Sequence, residues 1–237
     1  MSASGESKES VVALRILEEV PAFIAYTLTY LSSVGITVST SMEIDHVCYR
    51  CSSIEEYAIV KASFCTIGTC LVESIIGGRP IATVLLSNPI LFRGFIIRNV
   101  EIPAPKSGRP YASGLEHCEI VLTPNARAEH VDVADILLNR SKPLLEKFVA
   151  AHSVSSHSLK FNLSAMKKEL NEDVSLYFPA QKQTGEESEA QYCVKFHAMP
   201  LDRVIAYEIS AGSVARVPEE FTRLCAQVIA KQGEKKV

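Results

Sequence analysis

The chain has 237 residues, 47% of them hydrophobic and 22% charged, with a formal net charge of −3. That is enough apolar material for one large domain or two fused halves, and too little positive charge to draw in a nucleic-acid backbone. No apolar run reaches the ~18 residues that span a bilayer, so neither nucleic acid nor membrane is an expected partner.

Residues 1–10 read as a disordered N-terminus. They hold two acids and no apolar core, unlike a secretory signal or transit peptide, and the expected compartment is cytoplasmic. An N-terminal helical segment is expected over 11–43, because apolar residues from Val11 to about Ser33 recur at helical spacing, with Pro21 set to kink or split it. A first module follows over 44–105. Ile44 to Cys51 is a strand; Ser52-Ser53-Ile54-Glu55-Glu56 offers a serine cap and first-turn acids for a helix running to about Thr66. Thr69–Ile76 and Arg79–Leu86 flank a Gly77-Gly78 hairpin turn, Asn88-Pro89 turns the chain again, and Phe95–Ile102 is a strand stopped by Pro103-Ala104-Pro105.

The second module, 106–199, repeats this order. Strand Leu115–Leu122 leads into a helical region from about Ala126 to Ala151, with a break expected at Pro143. Strands are expected near Leu159–Leu163, Val174–Phe178 and Gln191–His197, with a hairpin loop from Gln181 to Glu189. C-terminal helices and a tail fill 200–237, opened by Pro200 and including a helix from Phe221 to Lys231. The fold class is therefore α+β: two paired β-α-β-β-β modules forming a half-open barrel around a cleft, with extra N- and C-terminal helices. Three strands in a row after each helix argue against a doubly wound sheet.

Two stretches repeat one pattern: Ile44-Asp45-His46-Val47 and Leu115-Glu116-His117-Cys118, an apolar residue, a carboxylate, a histidine and a β-prone run, about 70 residues apart. Imidazole is the commonest protein metal ligand, so matched histidines in two half-domains suggest a shared metal site. Strict strand alternation puts His46, Cys48 and Arg50 on one face and His117, Glu119 and Val121 on the matching one. Aligning the last strands adds Glu101 and His197. The candidate metal ligands are His46, Glu101, His117 and His197, with Glu119 in reserve or acting as general base. Such a set suits Zn, Fe, Mn, Ni or Co. The same alternation sends Asp45 and Glu116 away from the cleft. Arg50, Arg79 near the Gly77-Gly78 tip, and Arg109 and Tyr111 on the connector between halves are candidates to bind an anionic substrate. His130, His152 and His157 have no partner pattern and read as surface.

Seven scattered cysteines suit buried thiols in a reducing compartment. Cys48 and Cys51 are formally C-x-x-C, and Cys65 and Cys70 make a second pair. A four-thiolate zinc site is not expected, because the first pair lies in a strand and lacks a tight turn. No P-loop, dinucleotide fingerprint, nucleophile elbow or H-E-x-x-H is present.

Several blocks resemble, in order, the bacterial YecM-like proteins. They are Asp45-His46-Val47-Cys48-Tyr49-Arg50-Cys51, Gly78-Arg79-Pro80-Ile81, Val100-Glu101-Ile102-Pro103-Ala104-Pro105, Arg109-Pro110-Tyr111, Glu116-His117-Cys118-Glu119-Ile120-Val121-Leu122 and Val194-Lys195-Phe196-His197. The similarity runs from about Val20 to Glu208. It implies the vicinal oxygen chelate (glyoxalase and extradiol dioxygenase-like) superfamily, with paired modules and a metal cleft. It also implies ligands from the first and last strands of each module: His46, Glu101, His117 and the strand ending at His197. A carboxylate usually closes the second module's last strand; here Lys195 and His197 occupy it. The expected function is a divalent-metal-dependent enzyme acting on a small anionic, oxygen-chelating molecule, of isomerase, lyase or dioxygenase type. The alternatives are a non-catalytic small-ligand-binding protein and a scaffold acting through its N-terminal helix. The oligomeric state is open between monomer and homodimer.

Overall fold

Helix α1, Val11–Ser33, is the first element of the computed structural model, which describes residues 10–108, 110, 112–153, 159–181 and 187–234. Pro21 does not split it. The buried stripe Ala13, Ile16, Val20, Phe23, Ile24 and Leu31 continues on both sides of the proline, and tertiary packing of such a face outweighs one missing helical hydrogen bond. Strand β1, Glu43–Arg50, enters the sheet, and α2, Ile54–Ile67, starts as its cap residues dictate: Glu56 N donates to Ser53 Oγ at 3.1 Å. Strands β2 (Gly68–Ile76) and β3 (Arg79–Phe92) form the Gly77-Gly78 hairpin, both glycines at positive φ. Strand β4, Phe95–Pro103, follows.

The turn expected at Asn88-Pro89 does not form. Strand β3 runs through it, and the ladder to β4 shifts register between Leu85 and Ile90. Pro89 sits in that irregular stretch, where no ladder N–H is demanded. The chain reverses instead at Arg93-Gly94, with φ of 48° and 88°. This is a two-residue turn that the proline signal masked.

Strand β5, Gly114–Val121, opens the second half. Its helical region begins later than expected, with Asp132 capping α3 (Val133–Asp135); a π-helical turn, Ile136–Arg140, joins α3 to α4, Ser141–Ser153. Pro143 is the third residue of α4, directly after the π-helical turn that interrupts the regular ladder, and α4 continues through it. The expected strand at Leu159–Leu163 is reduced to one bridge between Asn162 and Ser175. A short 3-10 turn, Ser164–Lys167, precedes strands β6 (Asp173–Gln181) and β7 (Glu187–His197); most of the expected hairpin loop between them lies outside the described residues. Helices α5, Leu201–Ser210, and α6, Glu219–Glu234, complete the chain.

The strands form one α+β sheet in the order β2-β3-β4-β1-β5-β7-β6, not closed into a barrel. Strand β1 is parallel to β4, and β5 is parallel to β7; β1 and β5 meet antiparallel at the centre. Helices α1, α2 and α4 pack against one face. There Ile44, Val47, Val100, Cys118, Ile120, Val194 and Phe196 meet Ile24, Leu31, Phe64 and Leu145 in the main core. Helix α5 covers part of the other face, where Val204 joins Val121 and Met199 in a second apolar cluster. Among the described residues, no helix is long and apolar enough to cross a membrane.

Candidate metal centre

Two bulges in the central β1–β5 pair build the site. Ile44 faces Ile120 and His46 faces Glu119, so Asp45 has no partner; Cys48 faces His117 and Tyr49 faces Leu115, so Glu116 has none. An extra residue puts two successive side chains on one face. Ile44, Val47, Leu115 and Cys118 therefore go into the main core, while Asp45 with His46 and Glu116 with His117 lie together on the opposite face. Strict alternation had sent both acids away. Asp45 instead holds His46 Nδ1 at 2.9 Å, and Glu116 Oε2 stands 3.9 Å from His117 Nδ1.

Single donor atoms of His46, Glu101 and His117 all lie within 4.8 Å of one another. The parallel partner strands complete the cluster: Glu101 pairs in register with Cys48, and Lys195 with Glu119. His117 Nε2 is 3.5 Å from Glu101 Oε2 and 3.5 Å from Glu119 Oε1, and His46 Nε2 is 3.6 Å from the same Glu119 oxygen. These spacings match the edge of a tetrahedral site with bonds near 2.1 Å, roughly 3.4 Å. Buried His46 Nε2 has no hydrogen-bond partner among the described residues. With its Nδ1–H given to Asp45, Nε2 is the atom that offers a lone pair to a cation once its proton is displaced. The donor set and its spacing thus fit a divalent cation. One group stands against that fit: Lys195 Nζ donates to Glu119 Oε1 at 2.6 Å and lies 3.0 Å from His117 Nε2.

The charges are strongly coupled. Burial opposes protonation of His46, but Glu119 and Asp45 outweigh it and push its pKa up to about 10. Burial would raise Glu101, yet the His117 imidazole beside it and the charges of Lys195 and His46 hold it down at about 2. Against the same burial, Lys195 and His46 hold Glu119 well below the usual carboxylate range. Burial also opposes the charge on Lys195, but Glu119 and Glu101 keep it protonated well above its ordinary range.

The cavity over this cluster holds about 240 Å³. Its floor is His46, Glu101, His117, Glu119 and Lys195, and its walls include Arg79, Lys106, Lys168, Asp173 and the α5 residues Leu201, Val204 and Ile205. Arg79 thus lines the cavity, with Nη1 donating to the Ala104 carbonyl at 3.2 Å. Arg50 does not line it; its guanidinium grips both Glu116 oxygens. His197 is fully buried behind His46, with ring centroids 6.2 Å apart, Nδ1 3.5 Å from Glu119 and Nε2 3.8 Å from Asp45. It lies outside the three-residue donor group. Arg109 and Tyr111, like His157, fall outside the described residues. His152 gives its ring nitrogen to the Phe148 carbonyl at 2.8 Å. Cys48 and Cys51 are buried and Cys65 is exposed; no cluster of four thiols occurs among the described residues.

Sequence reasoning missed the supports. Asp45 also accepts from Leu201 N at 2.9 Å, capping α5, and Arg127 Nη2 approaches Asp45 at 3.6 Å while bridging Glu43 and Asp202. Their only advance signal was that each acid immediately precedes a histidine.

A family profile described as YecM protein matches residues 13–208. The chain is 34% identical to Protein YecM of Escherichia coli over 119 residues, which is 48% of this chain and 62% of that one. It is 31% identical to an uncharacterized protein of Haemophilus influenzae over 80 residues, 34% of this chain and 42% of that one. The matches thus span less than two thirds of either curated relative. A solved chain described as Structural Genomics, Protein EC4020 superposes with a TM-score of 0.60 at 20% identity, covering 87% of this chain and 100% of that one, a likeness of fold. With the profile spanning most of its length, the chain belongs to the YecM family.

Proposed function

We propose that this chain is a divalent-metal-dependent enzyme of the vicinal oxygen chelate type, acting on a small anionic molecule that offers two adjacent oxygens. The observation that carries this reading is the triad His46, Glu101 and His117, with donor atoms within 4.8 Å of one another under a cavity. The relation of the two halves supports the paired-module architecture behind it: β1 and β5 carry matching bulges, and each is parallel to the last strand of its half.

His46 and His117 would hold the cation through Nε2, with Glu101 and Glu119 supplying oxygens. Asp45 fixes the His46 tautomer, as carboxylates behind metal-bound imidazoles do. A bound divalent cation supplies Lewis-acid polarisation of substrate oxygens, the shared starting point of isomerase, lyase and dioxygenase chemistry on this scaffold. Glu119, with its depressed pKa, is a better cation ligand than proton acceptor. Arg79, Lys106 and Lys168 on the cavity wall give the anionic end of the substrate its partners. The test is metal analysis of protein purified without chelator or nickel resin. Wild type should carry close to one metal per chain and a His46→Ala, His117→Ala double variant almost none; equal content in both refutes the reading.

One observation favours a second reading. The Lys195 ammonium already satisfies Glu119 and contacts His117, which suits a metal-free cleft that binds small organic acids. Stabilisation by acids alone, unchanged by chelator, would select it.

A further inference from the structure

The position of Lys195 follows from the pairing of the halves. Glu101 stands beside Cys48 on β4, and Lys195 stands beside Glu119 on β7. Related through the antiparallel β1–β5 centre, where Val47 faces Cys118, these are equivalent places. One half thus brings a carboxylate to the cluster, and the other brings an ammonium where a second carboxylate would complete a symmetric ligand set. The ammonium reaches the donor atoms themselves: Nζ is 2.6 Å from Glu119 Oε1 and 3.0 Å from His117 Nε2. An ammonium has only donors to give, so His117 Nε2 accepts, and the lone pair that a metal would use is engaged. A cation bound to that lone pair requires Lys195 to leave it.

We propose that the Lys195 ammonium is a built-in occupant of the metal seat, holding His117 Nε2 and Glu119 Oε1 until a divalent cation displaces it and so setting how tightly the site takes metal. This rests on the metal reading above and adds to it a residue outside the ligand set. The displaced ammonium stays tethered to β7. Asp173 lies two residues along β6 from Ser175, the in-register partner of Lys195, and lines the same cavity. Its carboxylate, which also pairs with Lys168 at 2.7 Å, already favours the Lys195 charge across the cavity they both line.

The experiment titrates Zn²⁺ alone against wild type, Lys195→Met, Lys195→Gln, and a triple variant adding His46→Ala and His117→Ala to Lys195→Met, by competition with a chromophoric chelator at neutral pH. Thermal melts and circular dichroism check folding. Lys195→Met should bind at least about tenfold tighter than wild type, as expected when one unit charge leaves a close, partly buried seat. Lys195→Gln should fall between the two, and the triple variant should lose the gain. Lys195→Gln carries the test should Lys195→Met fail to fold. A crystal structure of zinc-loaded wild type supplies a measurement free of substitutions: Lys195 Nζ should have left His117 Nε2. Affinities equal to wild type, or zinc on His117 with the lysine still in contact, overturn the proposal and leave the metal reading standing. Binding by Lys195→Met with none by wild type upholds the lysine plug and overturns the metal-enzyme reading. No binding by any variant overturns both.

Discussion

The two halves of the site share a backbone device and differ in what surrounds it. In each, a bulge brings an acid and the next histidine onto one face, and a parallel strand adds a charged residue two places along the sheet. In the first half Asp45 is fully buried beneath α5, touching His46, the Leu201 amide and Arg127. In the second half Glu116 is partly exposed, and its partner is Arg50 at the rim. The same bulge thus makes a sealed half that fixes geometry and an open half that a side chain such as Lys195 enters. Burial decides the energetic weight of each acid, since a charge left without partners in the interior costs far more than one that water reaches.

That contrast yields the largest expected effect. Asp45→Ala removes a buried carboxylate serving a histidine, a helix end and an arginine, and should lower the free energy of unfolding by about 3 kcal/mol. Glu116→Ala should cost about 1 kcal/mol, because water replaces much of what Arg50 loses. Chemical denaturation of both variants measures the difference; equal losses would mean the halves are energetically alike. Metal binding sharpens the same comparison. Asp45→Asn, which leaves the His46 tautomer unfixed, should weaken Zn²⁺ binding by about 10- to 100-fold. Glu116→Gln, acting across 3.9 Å, should weaken it by less than about tenfold.

The pH dependence of the metal-free chain separates the carboxylates from the imidazoles. Glu101 titrates near 2 in the folded protein, below the ordinary glutamate range of about 4.3 in an unfolded chain. A depressed carboxylate stabilises the fold above its unfolded pKa, and that stability fades as pH falls from about 4.3 toward 2. His46 runs the other way. Raised to about 10, it stabilises most below its unfolded value of about 6.5, and its contribution disappears as pH climbs through 10. Melting temperature in chelator should therefore fall at both ends. Glu101→Gln should flatten mainly the acid limb, and His46→Ala mainly the alkaline limb, with a smaller change in the acid limb because the His46 charge helps to depress Glu101 and Glu119.

How much of this was legible in the sequence depended on which physical signal carried each feature. The helical stripe of α1, the Ser53 cap and the Gly77-Gly78 turn are written in local residue chemistry, and they formed where expected. The Arg93-Gly94 reversal lay beside a stronger-looking Asn88-Pro89, and only the ladder to β4 decides between them. His46 and His117 were paired by the repeated acid–histidine pattern and Glu101 was added by aligning the last strands of the halves, and the fold brings these three side chains together. The roles of Asp45, Glu116 and Lys195 were not legible. A bulge is a property of register between strands about 70 residues apart, and nothing local announces which residue goes unpaired.

His197 gives the smallest expected effect and the sharpest check on how far the equivalence of the halves extends. It stands two residues beyond Lys195, as Pro103 stands two beyond Glu101, so the corresponding place in the first half offers no ligand at all. Neither ring nitrogen of His197 has a hydrogen-bond partner among the described residues, and burial holds its pKa below the ordinary range against the nearby carboxylates, leaving a neutral ring. A neutral ring with two unsatisfied nitrogens adds little beyond its volume. An apolar residue of similar size should replace it at a cost under about 1 kcal/mol, or with a slight gain. His197→Leu should therefore retain the wild-type metal content and melt within about 3 °C of wild type. Should metal content instead fall as far as in His46→Ala, His197 belongs among the ligands, and the second half reaches the cation through a residue with no counterpart in the first.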